Sequence, residues 1–220
     1  MITAVGAVVA ALAFASACSA LVMRRVNAPT TGTAIDRNAR SASALLVIDL
    51  QTDFVDGNGY DQDEVDRVLQ RINARAAAAR ADGTPVATLR QVYRGLVATT
   101  VIRLVGKGLG TPGSTGLGLH VDVDVDADVD VVKSRLDGFS NPALGAWLAD
   151  NEVRELEIVG LDGCYCVKAT AIGALNRGFD VRLDDELILA GDQAAWQATQ
   201  QHLLAAGAVV LPERPKPHRT

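Results

Sequence analysis

Three side chains with complementary chemistry stand where apolar runs of the sequence end. Asp49 follows the run at 44–48, Lys133 ends a shorter one, and Cys166 lies on a turn after the run at 156–159. A thiol nucleophile needs a base to take its proton and a cation to stabilise its charge, and a carboxylate and an ammonium can supply both. We therefore predict covalent catalysis by Cys166, with Asp49 as general base and acid and Lys133 as electrostatic support.

The turn that carries the cysteine joins a predicted strand to a predicted helix at 169–178, which Gly178 terminates. At such a helix N-terminus we expect an exposed sulfur with a stabilised thiolate. The backbone N–H groups of 161–166 would form an oxyanion hole for a tetrahedral intermediate. Taken singly, a cysteine in a core turn is more often an inert apolar side chain, so the argument depends on all three residues together.

The elements that must position these residues alternate between strand and helix. This order predicts an open, mostly parallel sheet with helices on both faces and a ligand site at the carboxyl ends of its strands. The predicted strands are 44–48, 84–89, 131–135, 156–159, 180–183 and 209–211, and the predicted helices are 61–82, 97–105, one starting at 141, 169–178 and 192–206.

The N-terminal part of the sequence differs in character from the rest. Residues 2–23 carry no charge, and Arg24 and Arg25 follow directly. This pattern predicts a membrane-spanning anchor at 1–25 with the catalytic domain in the cytoplasm, attached by a linker or extended arm at 26–43. The alternatives are an exported protein or lipoprotein cleaved near Cys18, or a buried helix.

Composition narrows the function classes further. The net charge of −5 gives no basic footprint, so we expect no nucleic-acid partner. Three cysteines make no disulfide framework, and the short spacing of Cys164 and Cys166 disfavours a redox or metal pair. The Val-Asp alternation at 121–130 predicts an edge strand with one acidic face rather than a metal loop. The glycine-rich segment at 106–118 predicts a rim or lid, and 212–220 a disordered tail.

Three motifs in order resemble the isochorismatase-like cysteine hydrolases, which include nicotinamidases and carbamoyl-amidohydrolases. Residues 46–54, Leu-Val-Ile-Asp-Leu-Gln-Thr-Asp-Phe, are similar to the family's Asp-x-Gln-x-Asp-Phe strand end. Lys133 and Arg135 with Phe139 resemble its Lys-x-Arg…Phe segment. The stretch from 160 to 174 resembles its Gly-x5-Cys-Val-x2-Thr segment. The resemblance covers about 44–211.

The resemblance implies a three-layer α/β/α sandwich and a triad of Asp49, Lys133 and Cys166 that cleaves a small-molecule amide-type C–N bond. It also implies a cis peptide between Leu161 and Asp162, which would aim the Asp162 N–H into the oxyanion hole beside that of Cys166. Self-association is implied as well, and no cofactor is expected. The predicted pocket residues within or beside the motifs are Phe54, Phe139 and Tyr165.

Two departures from the family pattern bear on function. Gly163 and Cys164 stand where many members have Thr-Asp, and 90–93 (Arg-Gln-Val-Tyr) stands where nicotinamidases carry an Asp-x-His metal segment. We therefore predict an amidase that works without metal. The alternatives are a catalytically degenerate, membrane-tethered binding protein and an enol-ether hydrolase.

Overall fold

The computed structural model describes residues 16–211, which form a six-stranded sheet in the order β3-β2-β1-β4-β5-β6. Every neighbouring pair of strands is parallel. The strands are β1 (Ala42–Ile48), β2 (Val86–Gln91), β3 (Val129–Lys133), β4 (Val153–Gly160), β5 (Asp180–Ile188) and β6 (Val209–Leu211).

Helices cover both faces of this sheet. The first, α1, is described over residues 16–27. A 3-10 turn at Gly138–Ser140 and a π-helical turn at Gly163–Val167 precede α5 and α6 respectively. The remaining helices are α2 (Thr52–Gly57), α3 (Gln62–Ala81), α4 (Leu96–Val105), α5 (Pro142–Asp150), α6 (Lys168–Leu175) and α7 (Gln193–Ala205).

Strand β1 shows how the sequence creates the layers. Successive side chains of a strand point to opposite faces. Leu46 and Ile48 accordingly pack with α5, α6 and α7, whereas Leu45 and Val47 pack with α2 and α3. All four are fully or almost fully buried, as the continuous apolar run requires of a central parallel strand. The predicted three-layer α/β/α architecture is confirmed.

Helix α3 illustrates why the chain becomes helical where it does. Asp61 caps its N-terminus by accepting a hydrogen bond from the Glu64 N–H at 3.1 Å. Val65, Leu69 and Ile72 recur at helical spacing and are buried against the sheet. The helix closes at Gly83, which has a positive φ of 73°.

The alternating Val-Asp segment is not the strand that its period predicts. Only residues from Val129 onward join the sheet, and 121–128 run alongside it without strand pairing. Val123 and Val125 still turn toward the core, while Asp128 pairs with Arg80 and accepts the Val86 N–H at 2.8 Å. The alternation therefore reflects one apolar and one ion-paired side of an extended segment.

The prediction of a membrane anchor is contradicted. Between residues 16 and 211 no helix is both long enough and apolar enough to cross a bilayer. Most of the predicted anchor, residues 1–15, lies outside the described residues, as does the predicted tail at 212–220. The predicted membrane location is withdrawn with the anchor.

The segment predicted as a linker or arm lies on the domain as an arm. The Leu136 N–H donates to the Val26 carbonyl at 3.0 Å, and Arg135 Nη2 donates to the Ala28 carbonyl at 2.9 Å. The N–H and hydroxyl of Thr30 each donate to Asp137 Oδ2 at 2.6 Å. Val26 is buried by these contacts.

Candidate active site

Four neighbouring strands converge on the candidate site at their carboxyl ends. Lys133 is the last residue of β3, Gln91 the last of β2, and Asp49 follows β1 directly. Cys166 lies on the π-helical turn after β4. Because β3, β2, β1 and β4 are adjacent in the sheet, residues far apart in sequence meet here.

The lysine ammonium joins the three predicted catalytic side chains. Lys133 Nζ lies 2.8 Å from Asp49 Oδ2 and 3.3 Å from Cys166 Sγ. Its third partner is Gln91 Oε1, at 2.8 Å. Asp49 Oδ1 has no hydrogen-bond partner within residues 16–211, so one carboxylate oxygen is held by the lysine and the other is free to accept a proton.

Burial sets the protonation states of this cluster. It raises the pKa of Cys166 well above its usual value, and the negative charge of Asp49 raises it further. Burial also raises the pKa of Asp49, although Lys133 opposes that shift. For Lys133, burial disfavours the charge, but Asp49 and the Cys166 sulfur outweigh it and the pKa rises.

The resting cluster is thus a neutral thiol beside an aspartate–lysine ion pair. This corrects the expectation of an exposed sulfur with a stabilised thiolate. Only 6% of Cys166 is exposed, because it packs in the apolar core together with Val167 of the same turn. The Lys133 ammonium lowers the pKa of Cys166, but by less than burial and the Asp49 carboxylate together raise it.

The backbone around these residues is tightly specified. Asp49 has a positive φ of 54°, an uncommon conformation for a residue other than glycine, which turns the chain away from β1 directly into the site. Gly160 has a φ of 114°, and a Cβ there would lie 2.2 Å from the Ile48 carbonyl oxygen. A glycine at the end of β4 is therefore required for the close approach to β1.

Asp162 organises the turn that carries the cysteine. The peptide between Leu161 and Asp162 is cis, as the resemblance implied. One carboxylate oxygen of Asp162 accepts the Cys164 N–H at 2.7 Å, and the other accepts the Tyr60 hydroxyl at 3.0 Å and the Gly191 N–H at 2.9 Å. The Asp162 N–H itself donates to no acceptor within 16–211.

A cavity of about 460 Å³ opens onto Cys166 and Asp49. Its size suits a small molecule. Of the three predicted pocket residues, Phe54 and Tyr165 line it. Phe139 does not: it is buried, stacks on Phe179 with ring centroids 5.6 Å apart, and lies beneath the Arg177 guanidinium. Phe139 stands apart from this cavity because the 3-10 turn buries its ring in the core.

Several lining residues were not anticipated from the sequence. Tyr60 and Tyr93 line the cavity, and burial raises the pKa of both, so each keeps its hydroxyl proton. Met23 and Asn27 of α1 line it as well. A tyrosine in a loop carries no distinguishing signal until the path of that loop is known.

The motif residue Asp53 has a structural contact rather than a place in the triad. Its carboxylate accepts the Gly110 N–H at 2.7 Å and the Ser114 hydroxyl at 2.5 Å. These bonds fasten the glycine-rich segment beside the site, where Gly110 packs closely on Phe54. No residue of 106–118 lines the cavity itself, so the role of this segment as a rim or lid stays a prediction.

The comparisons with known proteins agree with this geometry. The isochorismatase domain family matches residues 43–213. The chain belongs to the isochorismatase family of hydrolases. Two streptothricin hydrolases of Streptomyces noursei are 34% and 36% identical to it, over 74% and 64% of this chain. The chain spans only 58% and 47% of the length of these relatives.

Solved structures of other proteins share the fold of this isochorismatase-family chain. A pyrazinamidase of Pyrococcus horikoshii in complex with zinc has a TM-score of 0.67 and 23% identity, covering 79% of this chain and 100% of its own. An N-carbamoylsarcosine amidase of Thermoplasma acidophilum also has a TM-score of 0.67, with 21% identity over 80% and 100%. At these identities the likeness concerns the fold.

The residues at the position of the nicotinamidase metal segment do not fit a metal site. Arg90 is paired with Asp130, its Nε 2.9 Å from Oδ1, and Gln91 faces Lys133. Throughout residues 16–211, no three His, Cys, Asp or Glu side chains are grouped so that they could hold an ion.

Proposed function

We propose that this member of the isochorismatase family is an amidohydrolase that cleaves a small-molecule C–N bond through a thioester on Cys166. The observation that carries the proposal is the buried contact of one ammonium, Lys133, with both the thiol and the carboxylate of Asp49. The fold similarity to amidases and the relatedness to streptothricin hydrolases support the same reaction class.

In the first half-reaction, the Cys166 sulfur attacks the carbonyl carbon of the amide while Asp49 Oδ1 takes the thiol proton. A base in contact is needed because the thiol is neutral at rest. The carbonyl oxygen becomes an oxyanion, which the N–H groups of Asp162 and Cys166 would stabilise. Asp49 then returns the proton to the leaving nitrogen as the C–N bond breaks, which leaves a thioester and a free amine.

In the second half-reaction, Asp49 accepts a proton from water as the water oxygen attacks the thioester carbonyl. The intermediate collapses, the C–S bond breaks, and the sulfur regains the proton from Asp49. The products are a carboxylic acid and the original thiol. Lys133 stays protonated throughout and compensates the charge that passes between oxygen and sulfur.

The charges of the cavity indicate which amides it accepts. Within 16–211, the charged side chains of its lining are Asp49, Asp162 and Asp192. Lys133 neutralises Asp49, so the negative charges of Asp162 and Asp192 remain in the lining. We infer a neutral or cationic amide as substrate and disfavour an anionic enol ether, which would meet like charges.

A substrate panel with cysteine variants tests this function. The full chain would be incubated with pyrazinamide, N-carbamoylsarcosine, streptothricin and an anionic enol ether, followed by acid quench and mass spectrometry. We expect hydrolysis of at least one amide and a covalent adduct on Cys166. Cys166→Ala should lower kcat/KM by on the order of 1000-fold or more, and the matched Cys164→Ala by less than about 10-fold.

Two results would overturn the proposal. One is an adduct on Cys164 with full activity in Cys166→Ala. The other is tight binding of an amide without turnover and without dependence on Cys166, which would instead favour the degenerate binding protein.

Metal independence stays a prediction and has its own test. Because Arg90 and Gln91 are already engaged within the chain, we expect no metal at that position. Dialysis of the active protein against EDTA should leave the rate within about twofold of the untreated rate. A loss that zinc restores would contradict this. The absence of a nucleic-acid partner and the tendency to self-associate also stay predictions.

A further inference from the structure

The cavity has a wall that lies outside the matched domain. That domain begins at residue 43, whereas Met23 and Asn27 line the cavity from α1. The two residues are one helical turn apart and so share a face of the helix. Met23 is half-buried and Asn27 is exposed, so Asn27 is the more solvent-accessible of the two lining residues.

Hydrogen bonds fix this wall to the part of the chain that follows the catalytic lysine. Leu136 lines the cavity too, and its N–H donates to the carbonyl of Val26, the residue beside Asn27. Arg135 donates a hydrogen bond to the carbonyl of Ala28, which lies two residues after Val26 on the arm. The register of α1 against the cavity is thus set by specific backbone contacts rather than by apolar packing alone.

The arm is fastened a second time, farther from the cavity. Thr30 donates twice to the buried Asp137, and the Thr30 and Thr31 carbonyls accept bonds from Arg177 at 3.2 and 2.9 Å. A Cβ at Gly32 would lie 2.7 Å from Arg177 Nε, so the arm lies close against that guanidinium. Such an arrangement holds the end of α1 in place.

We propose that Met23 and Asn27 are specificity-determining residues, which select amides with an apolar body that ends in a hydrogen-bonding group. A thioether is a polarisable, adaptable contact for an apolar body. Asn27 is exposed and lines the cavity, and its amide can offer both a donor and an acceptor to a bound molecule. This inference rests on the proposed function, because it assigns the bound molecule to the cavity over Cys166.

Alkylation rates of Cys166 test whether Met23 and Asn27 select the molecule that enters the cavity, and this test needs no known substrate. In each reagent the sulfur attacks the methylene carbon and iodide leaves, after the thiol proton has been removed. The probes are iodoacetamide, N-benzyl-iodoacetamide and its carbamoylbenzyl analogue, which ends in an amide. Rates at Cys166 would be read by peptide mass spectrometry on the full chain, and expressed relative to iodoacetamide for each variant.

The expected results separate the two residues. Met23→Trp should narrow the cavity and lower the relative rate of the benzyl reagent about 10-fold, whereas Met23→Ala should not lower it. Asn27→Leu should lower the preference for the carbamoylbenzyl over the benzyl reagent about 5-fold. Arg25→Ala, an exposed change on the same helix, is the matched control and should alter neither ratio.

Relative rates that stay at the wild-type ratio in Met23→Trp and Asn27→Leu would overturn the inference while leaving Cys166 as nucleophile. Absence of labelling at Cys166 in the wild-type protein would overturn the proposed nucleophile itself, and this inference with it. Division by the iodoacetamide rate removes any general change in thiol reactivity, so a partly perturbed variant still gives a decisive ratio.

Discussion

At the scale of single residues, the Lys133 and Asp49 pair sets both the stability and the pH response of the site. Both are buried, so removal of the lysine leaves an uncompensated carboxylate in the interior. We expect Lys133→Met to lower the free energy of unfolding by about 3–5 kcal/mol near neutral pH. Urea unfolding measures this loss, and Lys107→Met, at an exposed lysine, is the control.

The loss of folding stability in Lys133→Met should change with pH in a defined direction. A buried aspartate with a raised pKa favours the folded state most when protonated, and this contribution falls as the pH rises through its folded pKa. Without Lys133 that pKa rises further. The destabilisation should therefore be larger at about pH 8 than at about pH 5. A deficit that is constant with pH would contradict the assignment of the pair.

Gln91 is expected to position the lysine. Its side-chain oxygen is the third partner of the ammonium, and its backbone contacts with Gln51 do not depend on its side chain. Gln91→Leu should lower kcat and the alkylation rate of Cys166 about 10-fold with little change in KM. Gln91→Glu keeps an acceptor and should retain more activity. Equal rates for Gln91→Leu and the wild type would refute the role.

The sequence was sufficient to predict that Asp49, Lys133 and Cys166 lie at one edge of the sheet, because each stands at or after the end of an apolar strand. Their catalytic roles stay predictions. Gln91 was not predicted as a site residue, because β2 was predicted to end at 89, whereas the strand continues to Gln91 at the site. Met23 was assigned to a membrane because apolar side chains that pack on a domain resemble those that face lipid.

At the scale of elements, the junction of β1 and β4 depends on a missing side chain. A Cβ at Gly160 would overlap the Ile48 carbonyl in a backbone conformation that suits glycine. Gly160→Ala should lower stability by about 2 kcal/mol or more, and disturb the cysteine turn that follows. Gly145→Ala, in α5 with open space around it, should be neutral or stabilising in the same thermal melts.

The glycine-rich segment at 106–118 should become more mobile when its contacts with Asp53 are removed. Asp53→Ala removes the acceptor for Gly110 and Ser114. Amide hydrogen exchange over 106–118 should then speed up at least about 10-fold. Asp63→Ala on the exposed face of α3 serves as the matched control. Unchanged exchange in Asp53→Ala would mean that other contacts hold the segment.

Periodicity predicted most helices and strands. It failed where an alternating pattern arises from side-chain contacts without backbone pairing. Helix α3 and strand β1 have a pattern that both backbone pairing and burial reinforce. Residues 121–128 have a perfect period of two, yet they form no strand: Asp126 and Asp128 pair with Arg80, and Asp128 also accepts the Val86 N–H. Such pairing with a distant segment cannot be read from the period.

At the scale of the whole molecule, the site joins parts of the chain that meet only in the complete fold. The matched domain supplies Asp49, Lys133 and Cys166, and α1 supplies one wall of the cavity. The alternation of strands and helices was enough to predict the layers. It could not place the arm, because an irregular segment rich in Thr, Pro and Ser carries no period that specifies a path.

The position of β3 has a consequence for the order of folding. It is an edge strand with one neighbour, and its last residue bonds to an aspartate 84 residues earlier. Because no other strand pairs with its outer edge, none needs it in place before pairing, and we expect this strand to dock late. In pulsed alkylation during refolding, the labelling rate of Cys166 should fall to its slow native value only after helical circular dichroism has recovered. The labelling rate of this thiol would then report the final step of assembly.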